Sequence, residues 1–320
     1  MITNSSKFKL RFLSLTLAIS LGVGVEAQSM SDQIVIPPLF EYPMAPESLP
    51  DLQTKSDWLM DHFWDSMDFT NPGSVNQSAL NDAMNVYGAA AMYASKSKAK
   101  SSVENLVKNL KGNPTLMFQF AKGAEEVFYG PRAIAWIDEL YIPFLKGVLS
   151  EKSISSDRKR RYEDLLIMLQ KNALGAKFAD LRLTLSNGRH KEFHPETPLT
   201  LIEFGNPDCD DCKFARMKLE MASDLMEMVD SKELQIAFIV ADSMPEDEAD
   251  VLNLLKEYPS TWTAGISYGG DDVYDIRHTP SFYIIDKKGT ILEKNLDVSD
   301  AVNAIRALTS ESKRKSKNKK

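Results

Sequence analysis

Cysteine is almost absent from this chain: two residues in 320, Cys209 and Cys212. So few exclude a small fold stapled by disulfides, and 43 % hydrophobic residues is enough to bury ordinary cores without them. Glycine, at 15 residues, is too rare for a collagen-like repeat, and the apolar content excludes a wholly disordered chain. No segment beyond the N-terminus is long and apolar enough to span a bilayer, and no internal repeat is evident. Excess positive charge is missing too, the formal net charge being −7. The length is that of about two domains.

Residues 1–27 read as a secretory signal peptide. Lys7, Lys9 and Arg11 form a basic start, Phe12 to Val25 are a 14-residue apolar stretch, and Val25-Glu26-Ala27 offers small residues where a signal peptidase reads. At ~1.5 Å per residue the stretch spans ~21 Å, short of the ~30 Å of a hydrocarbon core. Cleavage is expected after Ala27, leaving an exported protein with no integral membrane span. No cysteine near that point offers a lipid anchor.

The leader carries three positive charges and one negative, so the remainder is −9. The last ten residues carry six positive charges and one negative, which leaves −14 on 28–310. An acidic body and an export signal argue against nucleic-acid binding. The basic tail, 310–320, is expected to be solvated and disordered.

Residues 28–50 are proline-rich and aperiodic, an extended lead-in. From 51 to 174 a helical period dominates, with fourfold spacings at Leu59-Phe63-Met67, Ala83-Tyr87-Ala91 and Trp136-Leu140-Phe144. Asn113-Pro114 is a helix start, and Gly130-Pro131 marks a boundary. Four to six short helices are expected, with Trp58, Phe63, Trp64, Phe118, Phe120, Phe128 and Trp136 as core. After Leu174 the pattern turns to strands: an alternating hairpin about Ser186-Asn187-Gly188, then Leu199 to Phe204 and Leu234 to Ala241. A helix follows Cys209 to about Val229, and another covers Pro245 to Lys256. Ser281 to Asp286 and Thr290 to Lys294 flank a turn, and a helix over about 299–308 closes the chain. The order β-α-β-α-β-β-α predicts an α/β sandwich with an antiparallel closing hairpin.

Cys209-Asp210-Asp211-Cys212 follows an apolar strand and opens a helix. Such spacing brings two sulfurs within disulfide reach, and a helix N-terminus favours a thiolate. Cys209 is then the exposed nucleophile and Cys212 the buried resolver. Glu203, six residues earlier, shares a strand face with Leu199 and Leu201, so its carboxyl is expected to be buried, with a raised pKa.

In these features the chain resembles the thioredoxin fold, and specifically the exported thiol–disulfide oxidoreductases of the TlpA/ResA group, over about 178–309. Leu201 to Lys213 resembles that group's strand, C-x-x-C and helix. Ile276-Arg277-His278-Thr279-Pro280-Ser281 to Asp286 resembles its cis-proline strand. The 71 residues between Cys209 and Pro280 leave room for the group's inserted helix and strand, and Ala179 to Gly188 looks like its leading hairpin. The resemblance implies a thioredoxin-like α/β C-terminal domain, a central mixed sheet flanked by helices, preceded here by an all-α domain. It implies that Pro280 is cis and faces the disulfide, that Glu203 shuttles the proton of Cys212, and that Thr279 presents its backbone to a substrate. Asp208 and His278 would border that substrate. The setting implied is the periplasm or cell envelope of a Gram-negative bacterium. Partners would be protein thiols or disulfides and an upstream redox protein, and no bound cofactor or metal is required.

The chain departs from the family at three positions. Asp208 stands where the group has tryptophan, and Asp210-Asp211 replace a Gly-Pro-like pair. Three carboxylates oppose a thiolate at Cys209, which points to a reductase-like couple. Lys213 is placed to pair with them. Tyr258, Trp262, Tyr268 and Tyr274 are expected to be packing residues, and Met217 and Met221 a buried helix face. Two rival readings stay open: a zinc site of His190, His194, Cys209 and Cys212, and a non-catalytic binding or scaffold protein whose C-x-x-C is structural.

Overall fold

The structure, a computed structural model, describes residues 37–241 and 247–317. The expected leader and Pro245 lie outside the described residues. Among the described residues, six α-helices fill the N-terminal part: α1 (Leu52–His62), α2 (Gln77–Tyr93), α3 (Lys96–Leu110), α4 (Pro114–Phe128), α5 (Asp138–Ser150) and α6 (Ser156–Lys171). Their starts follow from local chemistry. Asp51 caps α1 by accepting the Thr54 amide at 2.8 Å, Asn76 caps α2, and Asn113 accepts the Leu116 amide ahead of Pro114 in α4. Ala83, Tyr87 and Ala91 are all buried, as their spacing predicts.

Phe63, Trp64, Tyr87 and Phe120 form the aromatic centre of this part, with Trp64 5.2 Å from Phe120. Residues 37–50 contain no helix or strand, yet Phe40 and Tyr42 pack on Phe63 with ring centroids at 5.7 and 5.5 Å. Trp58, Phe118 and Trp136 are half-buried rather than core. Trp136 is not on a helix at all. It sits in the loop before α5, where its indole N–H donates to the Gly130 carbonyl at 2.9 Å.

The C-terminal part is a seven-stranded mixed sheet with helices. Its elements are β1 (Leu181–Leu185), β2 (His190–Phe193), β3 (Leu199–Phe204), α7 (Asp210–Glu220), α8 (Ser223–Asp230), β4 (Leu234–Ala241), α9 (Glu248–Leu254), β5 (Thr263–Ser267), β6 (Ser281–Asp286), β7 (Ile291–Leu296) and α10 (Val298–Lys317). The strand order is β2-β1-β5-β4-β3-β6-β7. β3 lies parallel to β4 and antiparallel to β6, so it is covered on both edges and both faces. Leu201 faces a core with Cys212, Phe238 and Ile305, whereas Ile202 and Phe204 face a second core with Tyr274 and Tyr283.

Four sequence expectations change. The helix after Cys209 is broken, because Ala222 leaves the helical region (ψ 82°) and α8 restarts at Ser223. The helix expected over 245–256 is α9 followed by a short turn of 3₁₀ helix, Leu255–Glu257. β5 falls where the family's inserted strand was allowed for, but no residues were assigned to it: Thr-Ala-Gly-Ile-Ser is short and weakly apolar, and it is a strand because β4 and β1 both hydrogen-bond to it. α10 runs on to Lys317, where a disordered tail was expected from 310. The Thr309 and Ser310 hydroxyls donate to carbonyls one turn back.

Candidate active site

Cys209 is the N-cap of α7, and its Sγ accepts the Cys212 amide N–H at 3.4 Å. The nucleophile position is therefore at a helix end, half-exposed, with the dipole and a backbone donor aimed at sulfur. One helical turn on, Cys212 is fully buried. Burial pushes the Cys212 thiol well above its ordinary pKa, its hydrogen bond to Cys209 adds to that, and the charges of Cys209 and Glu203 act in the same direction. Gly205 makes room for it: a Cβ there would lie 2.9 Å from the Cys212 sulfur and 2.9 Å from the Phe238 ring.

The three aspartates of the motif point away from the protein. The Asp208 and Asp210 side chains are 80 % and 101 % exposed, and Lys213 Nζ reaches Asp208 at 3.0 Å and Asp210 at 3.9 Å. Water and one ammonium thus screen much of their charge.

Glu203 lies beneath the motif, 0 % exposed, paired in register with Phe238 on β4 and Phe282 on β6. Neither carboxylate oxygen has a hydrogen-bond partner among the described residues. Burial pushes its pKa up to about 8; the Arg216 guanidinium draws it down in part, and charge on Cys209 draws it up. A strand-end glutamate in solvent is excluded. Every residue of β3 after Leu199 is buried, whichever face it points to, so alternation along the strand does not distinguish Glu203.

Tyr258 packs beside these groups. Its ring stacks on Phe238 at 4.2 Å and lies 4.9 Å from the Arg216 guanidinium, and burial raises its hydroxyl pKa. Tyr258, Trp262 and Tyr274 are buried packing residues, whereas Tyr268 is exposed. Sequence reasoning missed Arg216, because an arginine on a helix of mixed charge carries no distinguishing signal.

The Thr279–Pro280 peptide is cis. Ser281, the next residue, pairs with Phe204 at the end of β3, so the proline and the Gly205–Cys212 contact lie at the same end of the sheet. Thr279 is exposed there. His278 touches neither sulfur among its described contacts. Its ring stacks on Trp136 at 4.6 Å, nearly parallel at 7°, and Nε2 lies 3.4 Å from the Asn295 carbonyl. Burial lowers its pKa, which favours the neutral imidazole at pH 7.

Two expectations are corrected by the packing. Met217 and Met221 are 51 % and 84 % exposed, because the buried face of α7 is Cys212, Ala215 and Leu219 on the opposite side. The zinc set is not assembled: His190 and His194 sit at the β2 edge, four strands from β3, or ~19 Å at sheet spacing. His190 instead contacts the Thr184 hydroxyl at 3.1 Å.

A central mixed sheet with two cysteines at a helix N-terminus and a cis-proline at the same end of the sheet is the arrangement of a thioredoxin-like fold. Comparison with known proteins agrees. A thioredoxin-like protein from Bacteroides caccae matches over 84 % of this chain and 98 % of its own, with a TM-score of 0.72 at 20 % identity. That coverage takes in both the helical part and the sheet. The thioredoxin domain of a thiol-disulfide oxidoreductase from Bacteroides vulgatus matches 42 % of this chain and 97 % of its own (TM-score 0.35, 19 % identity). A thiol-disulfide oxidoreductase from Bacteroides fragilis matches 41 % and 98 % (TM-score 0.34, 16 % identity). Residues 19–172 match the family model described as a domain of unknown function, DUF5106. The curated proteins contain no match. The thioredoxin-like resemblance drawn from the motifs thus holds for the fold, with a helical domain of unknown function before it.

Proposed function

We propose that the protein is an exported thiol–disulfide oxidoreductase that exchanges a Cys209–Cys212 dithiol with protein disulfides. The observation that carries this reading is the grouping of a half-exposed N-cap Cys209, a buried Cys212 and the buried Glu203, whose carboxyl has no hydrogen-bond partner among the described residues and interacts with both sulfurs.

The Cys209 thiolate attacks one sulfur of a substrate disulfide. A mixed disulfide forms, and the other substrate sulfur leaves with the electron pair of the broken bond. Cys212 then loses its proton to the ionised fraction of Glu203 and attacks the Cys209 sulfur. The Cys209–Cys212 disulfide forms and the second substrate thiol is released, so two electrons have passed to the substrate. Read backwards, the same steps oxidise a dithiol, with protonated Glu203 returning the proton to Cys212. A carboxyl with a pKa of about 8 supplies both forms near neutral pH.

Pro280 and the exposed Thr279 would receive the substrate chain beside Cys209, with Asp208 at the rim. An upstream dithiol protein in the periplasm or envelope would restore the reduced pair. Among the described residues no helix is long and apolar enough to cross a membrane, and the leader over 1–27 supplies the proposed route of export.

A Cys212→Ser variant expressed in the exporting cell tests the reading. The expected result is mixed disulfides held through Cys209 and released by reductant. Absence of any such adduct would support the scaffold alternative, in which the C-x-x-C is structural.

A further inference from the structure

The stretch from Val273 to Pro280 leads into β6 but belongs to no strand, and beyond the turn bonds of Val273, Tyr274 and Ile276 side chains contribute to holding its shape. Several of those side chains come from the helical part. The Asn172 amide donates to the Val273 carbonyl at 2.9 Å, and the Tyr129 ring lies 4.5 Å from the Arg277 guanidinium. Trp136 stacks on His278, and Asp138 pairs with Arg277 across 139 positions of sequence. We propose that the helical domain is the positioning element of the substrate-docking segment, with Asp138 and Trp136 as positioning residues that act through Arg277 and His278 on Thr279–Pro280. This rests on the dithiol-exchange reading above.

Charge makes the case for Asp138. Arg277 and Asp275 are buried, and the Lys294 side chain is nearly so. Asp275 accepts from Arg277 at 2.7 Å, from Lys294 at 2.6 Å and from Asn295 at 3.2 Å. Within the C-terminal part alone, two cations share one carboxylate. Asp138 supplies the second, bonding Arg277 and reaching Lys294 at 2.7 Å, and brings the cluster to neutrality. Without Asp138, Arg277 and Lys294 would share Asp275 alone, and the uncompensated buried charge would loosen Arg277 from this place. Thr279 is two residues further on.

Asp138 and Trp136 are themselves held firmly. Asp138 is the first residue of α5, and the Ile137 and Ala135 amides donate to the Phe128 and Val127 carbonyls at 3.2 and 3.3 Å. The helical domain therefore reaches the docking segment through a short, bonded loop rather than a long flexible one.

The test compares Asp138→Asn, Asp138→Glu and Trp136→Leu with the unmodified full chain, using a peptide disulfide and oxidised glutathione as substrates. Displacing the docking segment should raise KM for the peptide about tenfold in Asp138→Asn while kcat stays within about twofold. Asp138→Glu should recover part of the loss, and Trp136→Leu, which leaves the ion cluster intact, should move KM the same way. Glutathione turnover should fall less than peptide turnover in each variant. Equal loss on both substrates, or an unchanged peptide KM in folded Trp136→Leu, overturns the proposal. If the unmodified chain exchanges with neither substrate, the dithiol-exchange reading fails instead.

Discussion

Replacing Glu203 with Gln tests the buried carboxyl by thermodynamics, without any substrate. In the unfolded chain this group titrates near pH 4.5, and in the folded protein burial moves it to about 8. Between those values the folded state keeps a proton that the unfolded state has released. Stability therefore falls as pH rises through that window, and the full contribution is present only below the unfolded value. The difference between those two values corresponds to about 5 kcal/mol. Gln keeps the shape and cannot ionise. Its amide remains without a partner, which costs ~1–3 kcal/mol at every pH and drops out of the comparison across pH. Guanidinium unfolding of the reduced proteins, followed by tryptophan fluorescence at pH 5, 6.5 and 8, is the assay. The unfolding free energy of the Gln variant should gain on the unmodified protein by several kcal/mol from pH 5 to pH 8. A gap that stays constant across those three pH values would refute the burial argument. In the same variant, thiol exchange at neutral pH should slow several-fold, because the Cys212 proton loses its acceptor.

Two other outcomes are expected near the motif. Gly205→Ala places a methyl against the Cys212 sulfur and the Phe238 ring, which should cost ~1–3 kcal/mol in chemical unfolding and slow the resolving step. An unchanged midpoint would mean that the strand end relaxes. Equilibration with glutathione should give a reductase-like potential, well below the ~−120 mV of a strong oxidant. Removing all three carboxylates should raise that potential measurably; an unchanged value would mean that water and Lys213 screen the aspartates fully.

The site was legible where it is local. An apolar strand, two cysteines one helical turn apart and a Thr-Pro before a second apolar strand are close-range patterns, and the helix-start position of Cys209 follows from them. Glu203 was legible as buried, though for an incomplete reason: β3 is covered on both faces, so its alternation carried no information. Exposure along α7 was not legible. Met217 and Met221 read as a core stripe, yet the helix turns Cys212, Ala215 and Leu219 to the sheet. β5 escaped because a Gly-centred pentapeptide becomes a strand only when two neighbours bond to it.

What the sequence determined by itself is the chemistry available: one pair of thiols, one acid beneath them, one proline beside them, and helices before strands. Hydrophobic periodicity and turn residues, which act over a few positions, were enough for the elements and the helix-start cysteine, whereas the place of Pro280 beside the pair was what the resemblance to the thioredoxin fold implied. What only the tertiary structure decided is which distant groups meet. Trp136 reaches His278, and Asp138 neutralises Arg277 and Lys294, because long-range packing brings a loop of the helical domain to the docking segment. No local pattern encodes such a contact, since a buried charge is stabilised by whatever partner the fold places beside it.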